Sequence, residues 1–310
     1  MVDIVISEFM DEDAVDALRN EFSVHYDPTL VDRPQELLSL STSARALIVR
    51  NRTQVRGKLL AALPSLRVVG RLGVGLDNID MQACEGAGIR VFPATGANSE
   101  SVAEYVITGL LMLLRGAYHS NAAMLSGDWP RTQLVGREVN QRHLGLVGFG
   151  GISRLVARKA KALGMRVSAF DPYIKDSNGV WEEEGVTPLS LDQLLRQVDG
   201  LSLHVPLVES TRHLINADSL SLMKPDAVLI NTARGGVVDD SALADALKEQ
   251  RLAGAMLDVF ETEPMTADNP FHGVPNLVLT PHIAGVTEES NVRVSSVTAE
   301  NVRLALRDNQ

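Results

Sequence analysis

Apolar residues in this chain gather into short runs, separated by stretches where they recur at helical spacing. Ile4-Val-Ile, Ala46-Leu-Ile-Val, Leu66-Arg-Val-Val and Ile89-Arg-Val-Phe occupy the first third. A second series lies at 143–147, 166–170, 200–204, 228–230, 255–257 and 277–279. Short apolar runs between polar or glycine-rich segments read as strands buried in a parallel sheet. Helical patterns fill the gaps. Residues 11–20 place Val15 and Leu18 on one face, and 55–62 forms a second helix. Residues 98–114 form a long one, with Ser99 or Ser101 as its cap and Glu104 in its first turn. Alternating strands and helices predict an α/β chain with two Rossmann-like, doubly wound parallel-sheet domains. The long helix leads from the first domain into the second, and a last helix at 288–306 returns to the first. The first domain is therefore discontinuous, comprising 1–98 plus 286–310, and the second is 99–285. Hinges are expected near Asn98 and Gly285.

Composition narrows this picture. The chain has 310 residues, of which 45% are apolar, enough for two cores. A net charge of -10 argues against a nucleic-acid surface. The start, Met1-Val-Asp-Ile-Val-Ile, lacks the basic residues and long apolar core of a signal peptide. The stretch 102–114 contains Glu104 and is too short to span a bilayer. Cys84 is the sole cysteine, so no intrachain disulfide can form, and it reads as a small buried hydrophobe. A cytoplasmic protein with no membrane, nucleic-acid or metal partner is expected.

Candidate chemistry lies where apolar runs end. Ligands of open parallel sheets collect outside the carboxyl ends of the strands. Asn231-Thr-Ala-Arg234 follows one run, Asp258-Val-Phe-Glu-Thr-Glu263-Pro the next, and Thr280-Pro-His282-Ile the last. They supply a cation, a carboxylate and an imidazole. This set suits hydride transfer at a 2-hydroxy or 2-keto acid. Arg234 holds the carboxylate and polarises the carbonyl, His282 exchanges the hydroxyl proton, and Glu263 orients His282. Gly148-Phe-Gly150-Gly151-Ile152-Ser153 runs from strand into helix and matches the first two glycines of a dinucleotide-binding turn. Ser153 stands where the third glycine is usual. Asp171, ending the next strand, would receive ribose hydroxyls and repel a 2′-phosphate, which favours NAD over NADP. A simple strand-end turn at Asp171-Pro172 is the competing reading. Gly73-Val74-Gly75 can present backbone amides to an anion. Arg52 and Arg71 concentrate positive charge near it in an acidic chain, and solvation is the alternative for both. His204 reads as loop-structuring.

These motifs, in this order and across nearly the whole chain, resemble the D-isomer-specific 2-hydroxyacid dehydrogenases. The resemblance implies Arg234, Glu263 and His282 as the catalytic set, and Gly151 and Ile152 as pyrophosphate contacts. It also implies Thr232 and Ala233 in the cofactor loop, Asp258 near the nicotinamide amide, and Val74 and Gly75 at the substrate carboxylate. The glycine-rich stretch 70–80 is most similar to 3-phosphoglycerate dehydrogenases, and the C-terminal regulatory domain that many of them carry is not expected here. Together with Ser7-Glu-Phe-Met-Asp-Glu and Arg50-Asn-Arg-Thr53, the pattern also resembles short relatives acting on 3-sulfolactate. Both substrates carry an anion on C3, for which Arg52 and Arg71 are the candidate contacts. A homodimer is expected, with Arg131 able to reach a site across its interface. Two other functions compete: a hydroxypyruvate or glyoxylate reductase, and a dinucleotide-sensing binding protein without catalysis. A formate dehydrogenase is disfavoured, because that branch has glutamine where this chain has Glu263.

Overall fold

In the computed structural model, which describes residues 2–308, the apolar runs become two parallel sheets. The chain divides into two units, one made of residues up to Asn98 together with those from Val286 onward, the other of Ser99–Gly285.

The first unit opens with β1 (Ile4–Ile6), α1 (Glu12–Arg19), β2 (Val24–Tyr26), α2 (Pro34–Ser41) and β3 (Ala46–Val49). It continues with α3 (Gly57–Ala61), β4 (Val68–Arg71), α4 (Met81–Gly86) and β5 (Arg90–Pro93). The strands pair in parallel in the order β2-β1-β3-β4-β5. Strand side chains alternate between faces, and both faces of this sheet are covered. Ile4, Ile6, Ile48 and Val68 pack with Val15 and Leu18 of α1 and with Val302 and Leu306. Val5, Leu47, Val49 and Val69 pack on the other face with Leu37, Leu60 and Cys84. Cys84 is fully buried and burial pushes its thiol pKa up, as a core residue requires.

The second unit begins with α5 (Ser99–Arg115), α6 (Asn121–Leu125), β6 (His143–Val147), α7 (Gly151–Ala162), β7 (Arg166–Phe170), α8 (Val180–Glu183) and β8 (Thr187–Pro188). It goes on through α9 (Leu191–Gln197), β9 (Gly200–Leu203), α10 (Ala217–Leu222), β10 (Val228–Asn231), α11 (Asp240–Lys248), β11 (Gly254–Leu257) and β12 (Leu277–Leu279). Its sheet has the order β12-β11-β10-β9-β6-β7-β8. The strand order reverses between β6 and β9, so their carboxyl ends border the switch point where such sheets bind ligands. The final helix, α12 (Glu288–Arg307), belongs to the first unit. Thr287 caps it in a box with Ser290. Ser295 Oγ accepts from the Asp11 amide at 3.0 Å, and Thr298 Oγ1 donates to the Arg71 carbonyl at 3.4 Å.

Several details differ from the pattern reading. Val55 is not helical but bridges to Ile79, and α3 starts at Gly57. Ser99 is the first residue of α5 and Ser101 lies within its first turn, so neither occupies the cap position before the helix. The edge strands β2 and β8 and the short helix α4 are additional elements. β2 reads Val-His-Tyr and is only half-buried, and β8 has two residues, so neither carries an apolar run. Asp80 caps α4 by accepting from the Ala83 amide at 2.9 Å.

Candidate active site

β6 ends in a turn built on glycine. Gly148 has φ +87, and a Cβ there would lie 2.5 Å from the His204 carbonyl oxygen. The turn can therefore lie against the end of β9 only without a side chain. Gly150 precedes α7 and contributes no side-chain cap, and the space around its Cβ position is open. The first-turn amides of α7, including those of Gly151 and Ile152, thus lack a side-chain partner, which suits an anion. Phe149 is buried and stacks on Trp181 at 4.7 Å, anchoring the turn. Asp171 accepts from the Phe149 amide and from the Tyr173 amide, each at 2.9 Å. It therefore closes the strand-end turn and also ties it to the glycine turn. His204 Nε2 bonds Ser202 Oγ at 3.0 Å, and burial pushes the His204 pKa down to about 4. A neutral, engaged ring fits the loop-structuring reading.

After β10, Asn231 organises the next loop. Its side chain accepts from the Ala233 amide at 3.0 Å and donates to the Arg234 carbonyl at 3.1 Å. The Thr232 hydroxyl is buried without a hydrogen-bond partner, as is that of Ser153 in α7. Orphaned buried hydroxyls are rare in proteins and often mark ligand positions. The uncapped helix, the close-approach glycine and the Thr232 hydroxyl together fit a bound dinucleotide.

β10, β11 and β12 are neighbours in the sheet, and Arg234, Glu263 and His282 follow their respective carboxyl ends. His282 Nδ1 and Glu263 Oε2 are 2.7 Å apart, and Glu263 Oε1 accepts from the Phe260 amide at 3.0 Å. Burial alone would raise the Glu263 pKa. The hydrogen bonds from His282 and Phe260, with the charges of His282 and Arg234, outweigh it and hold the carboxyl below its ordinary value of 4.5. An ionised carboxylate only accepts, so Nδ1 carries the hydrogen in this pair. That leaves Nε2 as the ring atom that takes or gives a proton. The structure joins Glu263 and His282 directly, while Arg234 acts on Glu263 through its charge.

Asp258 is buried at the end of β11, and its carboxylate bonds run to the His282 loop. Oδ1 accepts from the Ile283 amide at 2.8 Å and from Thr280 Oγ1 at 2.7 Å, and Oδ2 accepts from the Ala284 amide at 2.7 Å. Sequence reasoning placed Asp258 beside the cofactor but did not find this role.

The remaining candidates belong to the first unit. The Arg71 guanidinium lies over the Gly73-Val74-Gly75 turn: a Cβ on Gly73, where φ is +144, would fall 1.5 Å from Nη1. Arg52 follows β3, with its side chain paired to both carboxylate oxygens of Asp32. The loop carrying it is organised by Glu8, which sequence reasoning missed. Glu8 is buried and accepts from the amides of Arg50, Asn51, Arg52 and Thr53 at 2.9, 3.3, 3.1 and 2.9 Å. Asn78 links the two loops by donating to the Thr53 carbonyl at 2.7 Å. Its position two residues after a buried strand, in Ile6-Ser-Glu8, marks a strand-end group but does not reveal its partners. Arg131 is exposed, in a segment whose Tyr118, Leu125, Trp129 and Val135 are exposed as well.

Residues 107–284 match the family described as D-isomer specific 2-hydroxyacid dehydrogenase, NAD binding domain. The chain belongs to the D-isomer-specific 2-hydroxyacid dehydrogenase family. This dehydrogenase is 56% identical over 306 residues to (S)-sulfolactate dehydrogenase of Chromohalobacter salexigens, covering 99% of both chains. It is 38% identical over 308 residues to D-3-phosphoglycerate dehydrogenase of Methanocaldococcus jannaschii, covering 99% of this chain but only 58% of that protein. Among solved structures, D-lactate dehydrogenase from Aquifex aeolicus complexed with NAD and lactic acid matches with a TM-score of 0.84 at 29% identity, covering 99% of this chain and 96% of the other. The dehydrogenase is thus an NAD-dependent oxidoreductase acting on the CH–OH group of a small 2-hydroxy acid. No described helix is long and apolar enough to cross a membrane.

Proposed function

We propose that this dehydrogenase interconverts (S)-3-sulfolactate and 3-sulfopyruvate. The observation that carries the reading is the 56% identity along 99% of both chains with a sulfolactate dehydrogenase, set against 38% identity with the phosphoglycerate enzyme. Stereochemistry agrees with it. Sulfur raises the priority of the C3 branch, so the (S) label on sulfolactate denotes the same spatial arrangement as the (R) label on D-type hydroxy acids. Charge agrees as well. Asp32 offsets part of the Arg52 charge, which suits a singly charged sulfonate better than a phosphate dianion. A guanidinium has five N–H donors, so pairing with Asp32 leaves others for a ligand.

In this proposal Arg234 binds the substrate carboxylate and polarises the C2 oxygen, His282 Nε2 exchanges the proton of that oxygen, and Glu263 orients the ring. Bound NAD supplies the hydride acceptor. Gly148, Gly150, Gly151 and Ile152 hold its pyrophosphate, Asp171 its adenosine ribose, and Thr232, Ala233 and Asp258 its nicotinamide end. Val74, Gly75, Arg52 and Arg71 bind the substrate anions. The Ser99–Gly285 unit is the cofactor-binding domain and the other unit the substrate-binding lid. A cytoplasmic homodimer completes the proposal, with the exposed apolar side chains of 118–135 as its interface.

The test is initial rates with NAD on (S)-3-sulfolactate, its (R) isomer, D-3-phosphoglycerate and D-lactate. (S)-3-Sulfolactate should give the highest kcat/KM. A better rate on 3-phosphoglycerate or D-lactate refutes the substrate assignment. Arg52→Ala should depress 3-sulfopyruvate reduction far more than glyoxylate reduction, because glyoxylate has no C3 group; an equal fall removes Arg52 from the site.

A further inference from the structure

His282 adopts φ +55, a left-handed backbone that a side chain with a Cβ disfavours. Something must hold it there, and the structure shows what does. The two amides after His282, of Ile283 and Ala284, donate to the two oxygens of Asp258. The Thr280 hydroxyl, two residues before His282, donates to the same carboxylate. Thr280 Oγ1 is also bonded to the hydroxyl of Tyr105, which projects from α5. Thr280 has one hydroxyl hydrogen, and Asp258 receives it, so the Tyr105 O–H must be the donor in the last link. The bonds therefore run in one direction, from Tyr105 through Thr280 to Asp258, and Asp258 clamps the backbone on the far side of His282.

We propose that Tyr105 is a positioning residue for His282, acting through Thr280 and Asp258 to fix the left-handed turn that sets the imidazole against Glu263. The inference rests on the assignment of His282 as the proton-exchanging group. Donors arranged in series polarise one another, so removing the first weakens those after it. Without the phenol, Thr280 Oγ1 lacks its donor and its hold on Asp258 loosens. The turn is then free to relax toward ordinary backbone angles, and the ring loses its bearing on Glu263. Burial raises the Tyr105 pKa to about 12, so the phenol keeps its hydrogen across the working range of such an enzyme. The proposed pyrophosphate and ribose contacts, Gly148, Gly150, Gly151, Ile152 and Asp171, lie outside this chain of bonds, so most of the hold on the cofactor should remain although Asp258 lies on it.

The experiment uses the full-length enzyme with NADH and, in parallel, 3-sulfopyruvate and glyoxylate. Tyr105→Phe keeps the ring and removes the donor. It should lower kcat by roughly 10-fold, the scale of a modest misplacement of a reacting group, while the KM for NADH stays within about two-fold. Thr280→Val should match it, and Thr280→Ser should restore most of the rate lost in Thr280→Val. The Tyr105→Phe, Thr280→Val double variant should be no slower than either single one, because residues in one network are not additive. Native kcat in Tyr105→Phe, multiplicative losses in the double variant, or an equal loss of NADH affinity would each overturn the proposal. His282→Ala serves as the reference. If it turns over normally, the acid–base assignment has failed; if it is inactive while Tyr105→Phe is normal, only the positioning role has failed.

Discussion

Replacing Glu263 with Gln preserves shape and removes one charge, and the structure dictates how the amide must sit. Glu263 accepts twice, from the Phe260 amide through Oε1 and from His282 Nδ1 through Oε2. The substituted side chain has one acceptor oxygen and one NH2 group. The Phe260 amide is fixed in the backbone, so the oxygen goes there, and facing it with NH2 would oppose two donors. The NH2 group therefore meets His282 and makes Nδ1 an acceptor. The ring hydrogen moves to Nε2, the atom that must accept the hydroxyl proton. A hydrogen bond to a charged group contributes about 1.5–3 kcal/mol. Glu263 is 35% exposed, and solvent screening places the loss at the low end, roughly 1.5–2 kcal/mol. At about 1.4 kcal/mol per decade this is a fall of about 10- to 30-fold in kcat. Both directions should fall together, since the overall equilibrium is unchanged. The assay is NADH formation and consumption under saturating cofactor, beside a melting curve to confirm folding. A folded Glu263→Gln enzyme within two-fold of native kcat would refute the argument.

Three further outcomes are expected. Gly148→Ala should abolish NADH fluorescence binding at concentrations that saturate the native enzyme, because the new Cβ falls 2.5 Å from the His204 oxygen at φ +87. Native affinity would show that the turn tolerates a side chain. Asp171→Ala should narrow the preference for NAD over NADP, measured as the ratio of kcat/KM values; an unchanged ratio would place the ribose elsewhere. Glu8 should govern acid stability. Burial raises its pKa, but the amides of Thr53, Arg50 and Arg52 outweigh this and hold it below the ordinary value of 4.5. A carboxyl with a lowered folded pKa contributes stability in full above its unfolded pKa, and that contribution disappears as pH falls through the folded one. The melting temperature should therefore decline below about pH 4.5, and Glu8→Gln should lower it at neutral pH while flattening that decline.

Parallel strands buried on both faces announce themselves as apolar runs, which is why β1, β3, β6, β7 and β9 to β11 were legible with boundaries close to those observed. The turn at Gly148 and the polar residues after β10, β11 and β12 were legible for a related reason: topology puts strand ends and function in the same place. What remained hidden depends on contacts distant in sequence. Nothing local to Glu8 shows that its carboxylate will receive four amides from a loop more than 40 residues on. Asp258 reads as a ligand contact until the fold returns residues 280–284 to it. Arg52 reads as a free cation until Asp32 is seen beside it. Weak edge elements such as β2 lack the burial that would have written a pattern.

The return of α12 to the first sheet has a consequence for synthesis. The Asp11 amide and its partner Ser295 are separated by 284 positions, and the core holding Ile4, Ile6 and Val68 is completed by Val302 and Leu306. A chain emerging from the ribosome has all strands of that sheet in hand long before it has the helix that covers one face. The inserted unit contains all its strands by residue 279, so it can close its core while the earlier one still waits. The first part of this protein to be made is thus the last able to finish folding. Its uncovered apolar face is the surface that nascent-chain protection must guard until the last turns of α12 arrive.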